Sequence, residues 1–411
     1  MGLKLLFFII LLDLMGIGVM NPIFPFLATR IGLEPATVTL IIAIYPIASF
    51  IAAPFWGRMS DVRGRRPILM ISQVGAVAAY ITLGFADSIW LLVLSRFIGG
   101  ICAGNIGAAY AYISDVTTNE NRSKGMALIG GALSLGFIIG PLVGGLLAGS
   151  DKANADFALV AWFCAGMNFL ALIGTVAFLP ESLKPEMIEK LKNRPHASRW
   201  QAFSKIRTKA GLFMTFLAAL AFGTGGSVFE SSFPLWGKNA MDLGPRDVGL
   251  ALSFAAVVMV GMQLGVLQSK IGVALNKKFS EVRLATMACA VYAVGLILIA
   301  TCDSWPQLLL AQVFLPMGLA LFNPNISSLV SKQAAPTERG LVMGFYASWG
   351  SLARGAGPLF SGALLQIDLR YPYFYGVIAM ALTVALIAVA RSQTPAATVA
   401  ATTPAASGKA G

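Results

Sequence analysis

Charged residues are scarce in this sequence. Asp, Glu, Lys and Arg make up 12% of the 411 residues, whereas hydrophobic residues make up 57%. The mean hydropathy is +0.77. A soluble protein of this length needs many more charges to cover its surface. The composition therefore excludes a soluble globular protein and predicts a membrane protein.

Cysteine and histidine are also rare. The cysteines stand in or beside apolar runs and form no CxxC pair; they are Cys102, Cys164, Cys289 and Cys302. The single histidine, His196, lies in a polar stretch. This pattern indicates neither a disulfide framework nor a metal site nor a nucleophile–base pair. We expect no cofactor, no bound metal and no enzymatic activity.

Long apolar runs make up most of the chain. We predict twelve membrane-spanning helices, because each run can cross a hydrocarbon core of about 30 Å at about 1.5 Å per residue. Inside lipid the backbone must satisfy its own hydrogen bonds, which favours helices. The predicted spans are approximately 4–27, 37–56, 67–86, 90–113, 125–148, 157–179, 209–235, 247–268, 282–301, 305–330, 341–367 and 372–391.

The longest polar stretch separates the first six spans from the last six. We predict an N-terminal six-helix bundle (1–180), a cytoplasmic central loop (181–208), a C-terminal six-helix bundle (209–391) and a disordered cytoplasmic tail (392–411). Lys and Arg concentrate in alternate loops, which predicts a multi-pass inner-membrane protein with both termini in the cytoplasm. The net charge of +12 then reflects orientation in the lipid bilayer, and nucleic-acid binding is not expected.

The two halves contain similar segments. "GFIIGPLVGGLL" (136–147) resembles "ARGAGPLFSGALL" (353–365), and "LLVLSRFIGG" (91–100) resembles "LLLAQVFLPM" (308–317). Repeats of the same orientation with six spans each describe a transporter whose halves are related by an axis along the membrane normal. We expect these halves to rock around a site near the middle of the membrane.

A charged loop, "GRMSDVRGRRPIL" (57–69), joins the second and third spans. Its glycines permit tight turns, and its aspartate stands among arginines. The predicted gating residues are Gly57, Asp61, Gly64, Arg65 and Arg66, with Asp115 at the end of the fourth span. The spacing predicts a local ion-pair network; the alternative is a solvated loop that only orients the protein in the membrane.

This loop resembles the signature loop of the major facilitator superfamily. "LDLMGIGVMNPIFP" in the first span, "RFIGGICAG" in the fourth and "GFIIGPLVGG" in the fifth are similar to further signatures of its twelve-span drug–proton antiporters. The N-terminal half is most similar to the tetracycline–proton antiporter branch. The resemblance implies an all-α integral membrane protein of the major facilitator fold, with twelve helices in two six-helix halves. Tetracycline carriers have a histidine within the membrane, and the predicted spans here contain none.

The fifth-span pattern marks antiporters rather than symporters or uniporters in that superfamily. The residues that carry it here are Gly136, Gly140, Pro141, Gly144 and Gly145. Glycines four residues apart share one helix face and allow close packing, and a proline bends the helix. The resemblance implies that this packing seals one face of the transport cavity.

Four ionisable residues lie well inside predicted spans: Asp13, Arg96, Glu230 and Arg354. Charges within a bilayer are costly, usually face a cavity and usually serve function. An aspartate that is protonated in one conformation and ionised in another would carry a proton as the protein changes shape. We therefore predict that Asp13, Arg96 and Glu230 couple transport to protons. A static Asp13–Arg96 ion pair is the structural alternative.

Aromatic, methionine and amide side chains in the spans suit a bulky, partly apolar ligand. The predicted substrate-binding residues are Met20, Asn21, Phe24, Tyr45, Phe229, Glu230, Phe233, Gln312, Asn323 and Arg354; further candidates are Trp236, Gln263 and Phe322. At helical spacing such residues are more often ordinary packing.

The sequence is thus interpreted as a proton-coupled antiporter that exports a small amphipathic compound by alternating access. Its partners would be protons, the small-molecule substrate and the lipid bilayer, and a monomer would suffice. A dedicated exporter of an endogenous metabolite or siderophore would use the same machinery. A membrane receptor or channel that transports nothing is the alternative from another class.

Overall fold

The structure, a computed structural model, describes residues 2–103, 105–118, 121–150, 155–183, 185–192, 203–204, 206–335 and 338–393. Within these ranges all regular secondary structure is helical. This agrees with the need of a backbone in lipid to satisfy its hydrogen bonds inside each segment. The predicted tail lies outside the described residues except for its first two positions, and the predicted central loop is described only in part.

The N-terminal half of the chain starts with two helices joined by a turn. Pro25 lies in the first turn of the second helix, where a backbone N–H is not needed. Gly64, at φ 100°, separates the third helix from the fourth in a conformation that glycine adopts without strain. The helices are α1 (Gly2–Met20), α2 (Phe24–Arg30), α3 (Pro35–Arg63), α4 (Arg65–Gly84), α5 (Ile89–Cys102), α6 (Asn105–Val116), α7 (Arg122–Ala148), α8 (Phe157–Phe178) and α9 (Pro185–Lys192).

The C-terminal half repeats the pattern of long apolar helices. Its helices are α10 (Ala210–Ala240), α11 (Pro245–Val260), α12 (Lys270–Lys278), α13 (Glu281–Ala300), α14 (Trp305–Gln333), α15 (Arg339–Ile367) and α16 (Tyr371–Ser392), and a π-helical segment (Gly261–Leu267) continues α11. Prolines occur inside long helices of both halves: Pro46, Pro54, Pro141, Pro234, Pro316, Pro324 and Pro358. Membrane helices tolerate them because neighbouring groups satisfy the backbone that each proline leaves unpaired.

Eleven of the described helical segments are long and apolar enough to cross a membrane. They correspond to the predicted spans with one exception, α15, which covers the predicted span 341–367. Glycines, serines and Arg354 interrupt the apolar residues of α15, so it lacks an apolar stretch of spanning length. The chain is therefore a multi-pass membrane protein. Twelve spans were predicted from the sequence, one more than the eleven described helices that meet this criterion.

The fourth predicted span is not one continuous helix. α5 ends at Cys102, Ala103 takes a non-helical ψ of 55°, and α6 starts at Asn105. The predicted span over 90–113 is nevertheless confirmed as one apolar segment (Ile89–Val116) long enough to cross a membrane. The segment 269–283, which the sequence presents as a loop, also contains a helix, α12.

The chain divides into two compact units. Unit 1 consists of Met1–Pro195, Glu230–Ala256 and Arg354–Leu369, and unit 2 of His196–Phe229, Val257–Ala353 and Arg370–Gly411. The units describe packing in one conformation. The predicted halves, 1–180 and 209–391, describe instead which parts move together during transport. They stay a prediction.

Each unit has its own apolar core. In unit 1, α1 packs against α7 and α8, and α4 packs against α5 and α8. Side chains such as Leu6, Ile10 and Tyr112 form the centre of one cluster there. In unit 2, α13 packs against α14 and α16, and Phe216 is fully buried in a cluster with Val330. These cores hold the polar groups described next in fixed positions.

Candidate functional site

Asp13 is a buried acid on α1. Only 4% of the residue is exposed, and its Oδ2 has no hydrogen-bond partner among the described residues. Leaving a buried polar atom unpaired costs roughly 1–3 kcal/mol, and more when the group is charged. Leu14, the next residue, lies in the apolar cluster of unit 1. Asp13 is therefore buried without an ion-pair partner among the described residues.

Arg96, on α5, points at an aromatic ring rather than at an acid. Its guanidinium lies 4.4 Å from the centre of the Phe24 ring, a cation–π distance. Its Nε has no hydrogen-bond partner in the part of the chain that the structure describes. No ion pair joins Arg96 to Asp13, although both side chains are described. The static Asp13–Arg96 pair is thus absent from this conformation.

Tyr45, on α3, lies near three of the ionisable residues. It lies within electrostatic range of Asp13, Arg96 and Arg354. α5 approaches this tyrosine closely, because a Cβ added at Gly99 would lie 3.3 Å from the Tyr45 ring. Tyr45 is half-buried and so remains partly accessible.

Two polar residues that sequence reasoning missed converge on α1 next to Asp13. A Cβ added at Gly16 would lie 2.7 Å from Asn168 Nδ2 and 3.1 Å from the Tyr80 hydroxyl. Asn168, on α8, is fully buried, and its Oδ1 has no partner in the described structure. A polar side chain inside an apolar run was the signal that could have identified Asn168. Tyr80, on α4, carried no comparable signal.

Glu230 and Arg354 are exposed although they lie in long apolar helices. Arg354 lies within electrostatic range of Glu230. Next to them, the hydroxyls of Ser231 and Ser361 are 2.8 Å apart and join α10 to α15. The structure therefore brings together two of the four ionisable residues predicted to serve function, one acidic and one basic, on adjacent helices.

The predicted ligand-binding side chains differ in accessibility. Asn21 and Asn323 are exposed, and Gln263 is half-buried. Tyr45, Glu230 and Arg354 are accessible as described above, and seven others are buried: Met20, Phe24, Phe229, Phe233, Trp236, Gln312 and Phe322. Phe322 stacks on Phe222 at 3.6 Å between ring centres. In this conformation the buried residues serve packing, which was the alternative interpretation of their helical spacing.

The charged loop and its neighbours form one cluster, which we term the Arg65 cluster: Ser60, Asp61, Arg65, Asp115, Glu181 and Ser182. Arg65 is buried, and its Nη1 lies 2.6 Å from Asp61 Oδ1 while its Nε lies 3.0 Å from Asp115 Oδ2. Nη1 also donates to Ser60 at 3.1 Å. Charge-assisted bonds of this kind are stronger than neutral ones. The spacing of the loop thus positions one arginine between two acids from different helices.

Glu181 completes this cluster from a position 116 residues further along the chain. Its carboxylate accepts the backbone N–H groups of Arg65 and Arg66 at 2.9 and 3.0 Å, so it caps α4. A Cβ at Gly64 would collide with this carboxylate. Arg66 in turn donates from Nη2 to the carbonyl of Val176, 2.6 Å away, near the end of α8. The helix dipole favours a cation there.

Unit 2 contains a related pair of opposite polarity. Glu281, in the first turn of α13, lies 2.8 Å from Lys332 Nζ near the end of α14. In unit 1 the basic residue, Arg65, starts α4 and the acid, Asp115, ends α6. The offset that relates 91–100 to 308–317 also relates Asp115 to Lys332. The charges of the repeat are thus inverted in the second half.

The glycines of α7 lie against the backbone of α1. A Cβ at Gly140 would lie 2.6 Å from Gly18 C, and a Cβ at Gly136 would lie 3.2 Å from Leu14 Cβ. Gly144 faces Val19 in the same way. A side chain at Gly140 or Gly144 would collide with the α1 backbone and one at Gly136 would be tight, so these glycines allow α1 and α7 to pack closely.

One end of unit 1 joins helices from distant parts of the chain. Lys238 Nζ donates to Thr29 Oγ1 at 2.9 Å, and Gln366 Nε2 donates to Glu34 Oε2 at 2.9 Å. A Cβ at Gly362 of α15 would lie 2.5 Å from Ala36 Cα of α3. The ends of α10 and α15 are thereby fastened to α2 and α3.

Comparison with known proteins gives relatives of similar length. The chain is 26% identical over 380 residues to Multidrug resistance protein 2 of Bacillus subtilis (strain 168), covering 90% of this chain and 92% of that protein. It is 27% identical over 369 residues to the class H tetracycline resistance protein of Pasteurella multocida, covering 88% of each. The crystal structure of the human organic anion transporter MFSD10 (TETRAN) is 24% identical, with a TM-score of 0.66 over 95% of this chain and 98% of that one.

The sequence model of the Major Facilitator Superfamily matches residues 6–275 and 271–409, which is nearly the whole chain. The fold agrees, since the described helices are those of a multi-pass membrane protein. A member of this family is a membrane transporter rather than an enzyme. The resemblance noted in the sequence is therefore confirmed, and the chain belongs to the Major Facilitator Superfamily.

Proposed function

We propose that this transporter exports small amphipathic compounds, drugs among them, in exchange for protons across the cytoplasmic membrane. The relatives named for multidrug and tetracycline resistance support export of drugs. The Lys and Arg distribution supports an inner-membrane location with both termini in the cytoplasm. A single chain carries both repeats, so a monomer suffices.

The observation that carries the proposal is the buried, unpaired Asp13. A carboxyl in this position can be neutral when it is dry and can ionise when a conformational change admits water or Arg96. In this conformation Arg96 is engaged with Phe24. Moving the arginine from the ring to the acid would release the proton of Asp13. Proton transfer would thereby be linked to the shape of the protein.

The exposed Glu230 supports a preference for cationic amphipathic substrates. A cationic ligand would compete with Arg354 for this carboxylate, and the accessible amides of Asn21 and Asn323 would supply hydrogen bonds. In this proposal, binding of a cation at Glu230 and of a proton at Asp13 would exclude each other, as exchange requires.

Alternating access requires the contacts at one end of unit 1 to separate. The Lys238–Thr29 and Gln366–Glu34 hydrogen bonds join segments of the two predicted halves, as does the contact of Gly362 with α3. Rocking of 1–180 against 209–391 would break all three. The present structure is then one of at least two states.

The test uses Asp13→Asn in proteoliposomes with an acidic lumen and ethidium, a cationic amphipathic dye, outside. The wild-type protein should accumulate ethidium as protons leave. The variant should lose this accumulation, because an amide cannot titrate, yet should still bind ethidium and exchange it without a gradient.

The control is Asp87→Asn, which makes the same change at an exposed aspartate, and it should transport like wild type. Undiminished gradient-driven accumulation by Asp13→Asn would remove this residue from the coupling mechanism.

A further inference from the structure

A cavity of about 510 Å³ lies in unit 2 between α13 and α16. Its walls contain two arginines, Arg283 and Arg391, and otherwise mainly apolar side chains such as Val282, Met287 and Val384. Its volume falls in the range of about 300–1,000 Å³ that small-molecule sites occupy. A cavity with two cations at one end and apolar walls suits a ligand with an anionic head and an apolar tail.

The two arginines are available to such a ligand. Arg283 lies in the first turn of α13 and Arg391 at the end of α16, and both are exposed. Neither side chain forms a hydrogen bond or an ion pair within the described residues. The neighbouring acid, Glu281, is already paired with Lys332.

More positive charge lies beside the cavity. The ammonium group of Lys278 is 5.6 Å from the centre of the Phe279 ring, and Phe279 lines the cavity. Lys277 precedes it at the end of α12. With Glu281 neutralised, this corner of unit 2 attracts anions.

The cavity opens on an apolar surface. On α13 the exposed side chains include Met287, Val294 and Ile297, and on α16 they include Leu382 and Val389. Their spacing along each helix keeps them on one face. In a membrane protein, such a face contacts lipid tails. The cavity is therefore reached from the bilayer.

We propose that this cavity binds an anionic phospholipid, with its phosphate between Arg283 and Arg391 and an acyl chain along α13 and α16. Val282 and Met287 lie within one turn of Arg283, and Val384 lies two turns before Arg391, so the apolar walls extend from the arginines toward the membrane centre. In the proposed orientation the arginines face the cytoplasmic leaflet, where anionic lipids attract basic residues. The residues that follow, 394–411, contain no acidic side chain that could take the place of the phosphate.

The experiment measures lipids retained by the full-length protein with native mass spectrometry. The detergent-solubilised protein is mixed with equal amounts of phosphatidylglycerol and phosphatidylcholine. Wild type should retain phosphatidylglycerol selectively. Arg283→Gln/Arg391→Gln should lower that retention roughly tenfold or more, because each basic residue near an anionic lipid contributes about fivefold in affinity.

Two further variants make the result specific. Ala388→Trp fills the cavity without changing its charge and should also abolish selective retention. Arg58→Gln/Arg63→Gln removes the same charge from the exposed end of α3 and should retain lipid like wild type. Thermal unfolding of each variant confirms that it is folded.

Several outcomes would overturn the proposal. Equal retention of the two lipids by wild type would show that no anionic site exists. Equal loss in the Arg58→Gln/Arg63→Gln control would show that only overall charge matters. Displacement of the lipid by inorganic phosphate or glycerol 3-phosphate at matched concentration would assign the site to a free anion rather than to a lipid.

Discussion

Glu181 caps a helix that begins 116 residues earlier in the chain. Its carboxylate accepts two backbone N–H groups at the start of α4, where the helix dipole favours an anion. The same helix start carries Arg65, which two acids hold from the side. Glu181 therefore fixes the position of α4 on which the rest of the Arg65 cluster depends.

We expect Glu181→Gln to lower the free energy of unfolding by about 1 kcal/mol, the typical cost of losing a helix cap. An amide can accept only one of the two N–H groups well and carries no charge. Thermal unfolding in detergent measures the change. Glu189→Gln, at an exposed position in the middle of α9, is the matched control and should leave stability unchanged.

A Glu181→Gln protein as stable as wild type would show that water replaces the cap at no cost.

Single residues differed in how far the sequence could predict them. Asp13 and Arg354 were recognisable because a charge inside an apolar run is rare. Glu181 was not, since its partner is the backbone of a distant helix and no local pattern marks that contact. The engagement of Arg96 with Phe24 was equally hidden, because a tertiary contact decides which of two partners an arginine chooses.

Among the helices, α15 carries the contact most sensitive to conformation. Gly362 lies so close to α3 that an added Cβ would be 2.5 Å from Ala36 Cα and 2.6 Å from Pro35 O. Both are backbone atoms, so they cannot rotate away as a side chain could. A methyl group at this position must push α15 and α3 apart.

We expect Gly362→Ala to shift the protein toward the state in which these two helices are separated. Overpacking costs roughly 1–3 kcal/mol, which changes a two-state population about tenfold. Distance measurements between spin labels at Leu33→Cys and Asp368→Cys report the separation. Gly350→Ala, in the same helix but with nothing within 4 Å of its added Cβ, should leave the distances unchanged.

If the distance distribution of Gly362→Ala matches that of Gly350→Ala, the contact does not influence the conformational equilibrium.

The extent of most helices followed from hydropathy, but their interruptions did not. The break between α5 and α6 lies in an apolar, glycine-rich segment that reads as continuous helix. α12 lies in a basic segment that is too short and too polar to span a membrane, so hydropathy could not predict it. Helix breaks and short connecting helices depend on local backbone geometry, which the hydrophobic pattern of the sequence does not reveal.

For the whole molecule, the internal repeat preserves the spacing of its segments but not their charges. The repeated segments keep their spacing, whereas Asp115 has Lys332 as its counterpart and the acid of unit 2, Glu281, starts α13. Each pair still joins the start of one helix to the end of the next membrane crossing. The ion pair lies at the same place in both repeats, but the acid and the base have exchanged helices.

We expect the Glu281–Lys332 pair to tolerate exchange of its charges. Lys332→Glu alone should destabilise unit 2, because it places two carboxylates together, and Glu281→Lys/Lys332→Glu should recover most of the loss. The coupling should be about 0.5–1 kcal/mol, since Lys332 is largely exposed. A double-mutant cycle of unfolding free energies in detergent measures this coupling. If the effects of the single substitutions add up to that of the double substitution, the pair does not contribute to stability.

The sequence indicated the membrane fold and its repeat because both depend on apolar composition along the chain. It did not indicate the two packing units, in which Glu230–Ala256 and Arg354–Leu369 join the N-terminal helices. That grouping depends on the conformation adopted, and one sequence encodes every conformation of the cycle.

The low hydropathy of α15 also bears on how the protein is made. A charge such as Arg354 at the centre of a helix raises the cost of entering lipid by about 2.5–3.5 kcal/mol. α15 is not among the described helices that are apolar enough to cross a membrane by their own composition. By the time the ribosome has synthesised it, however, α3 and α10 already offer the contacts of Gly362 and Ser361. We therefore expect α15 to insert late, and only when the earlier helices are correctly placed.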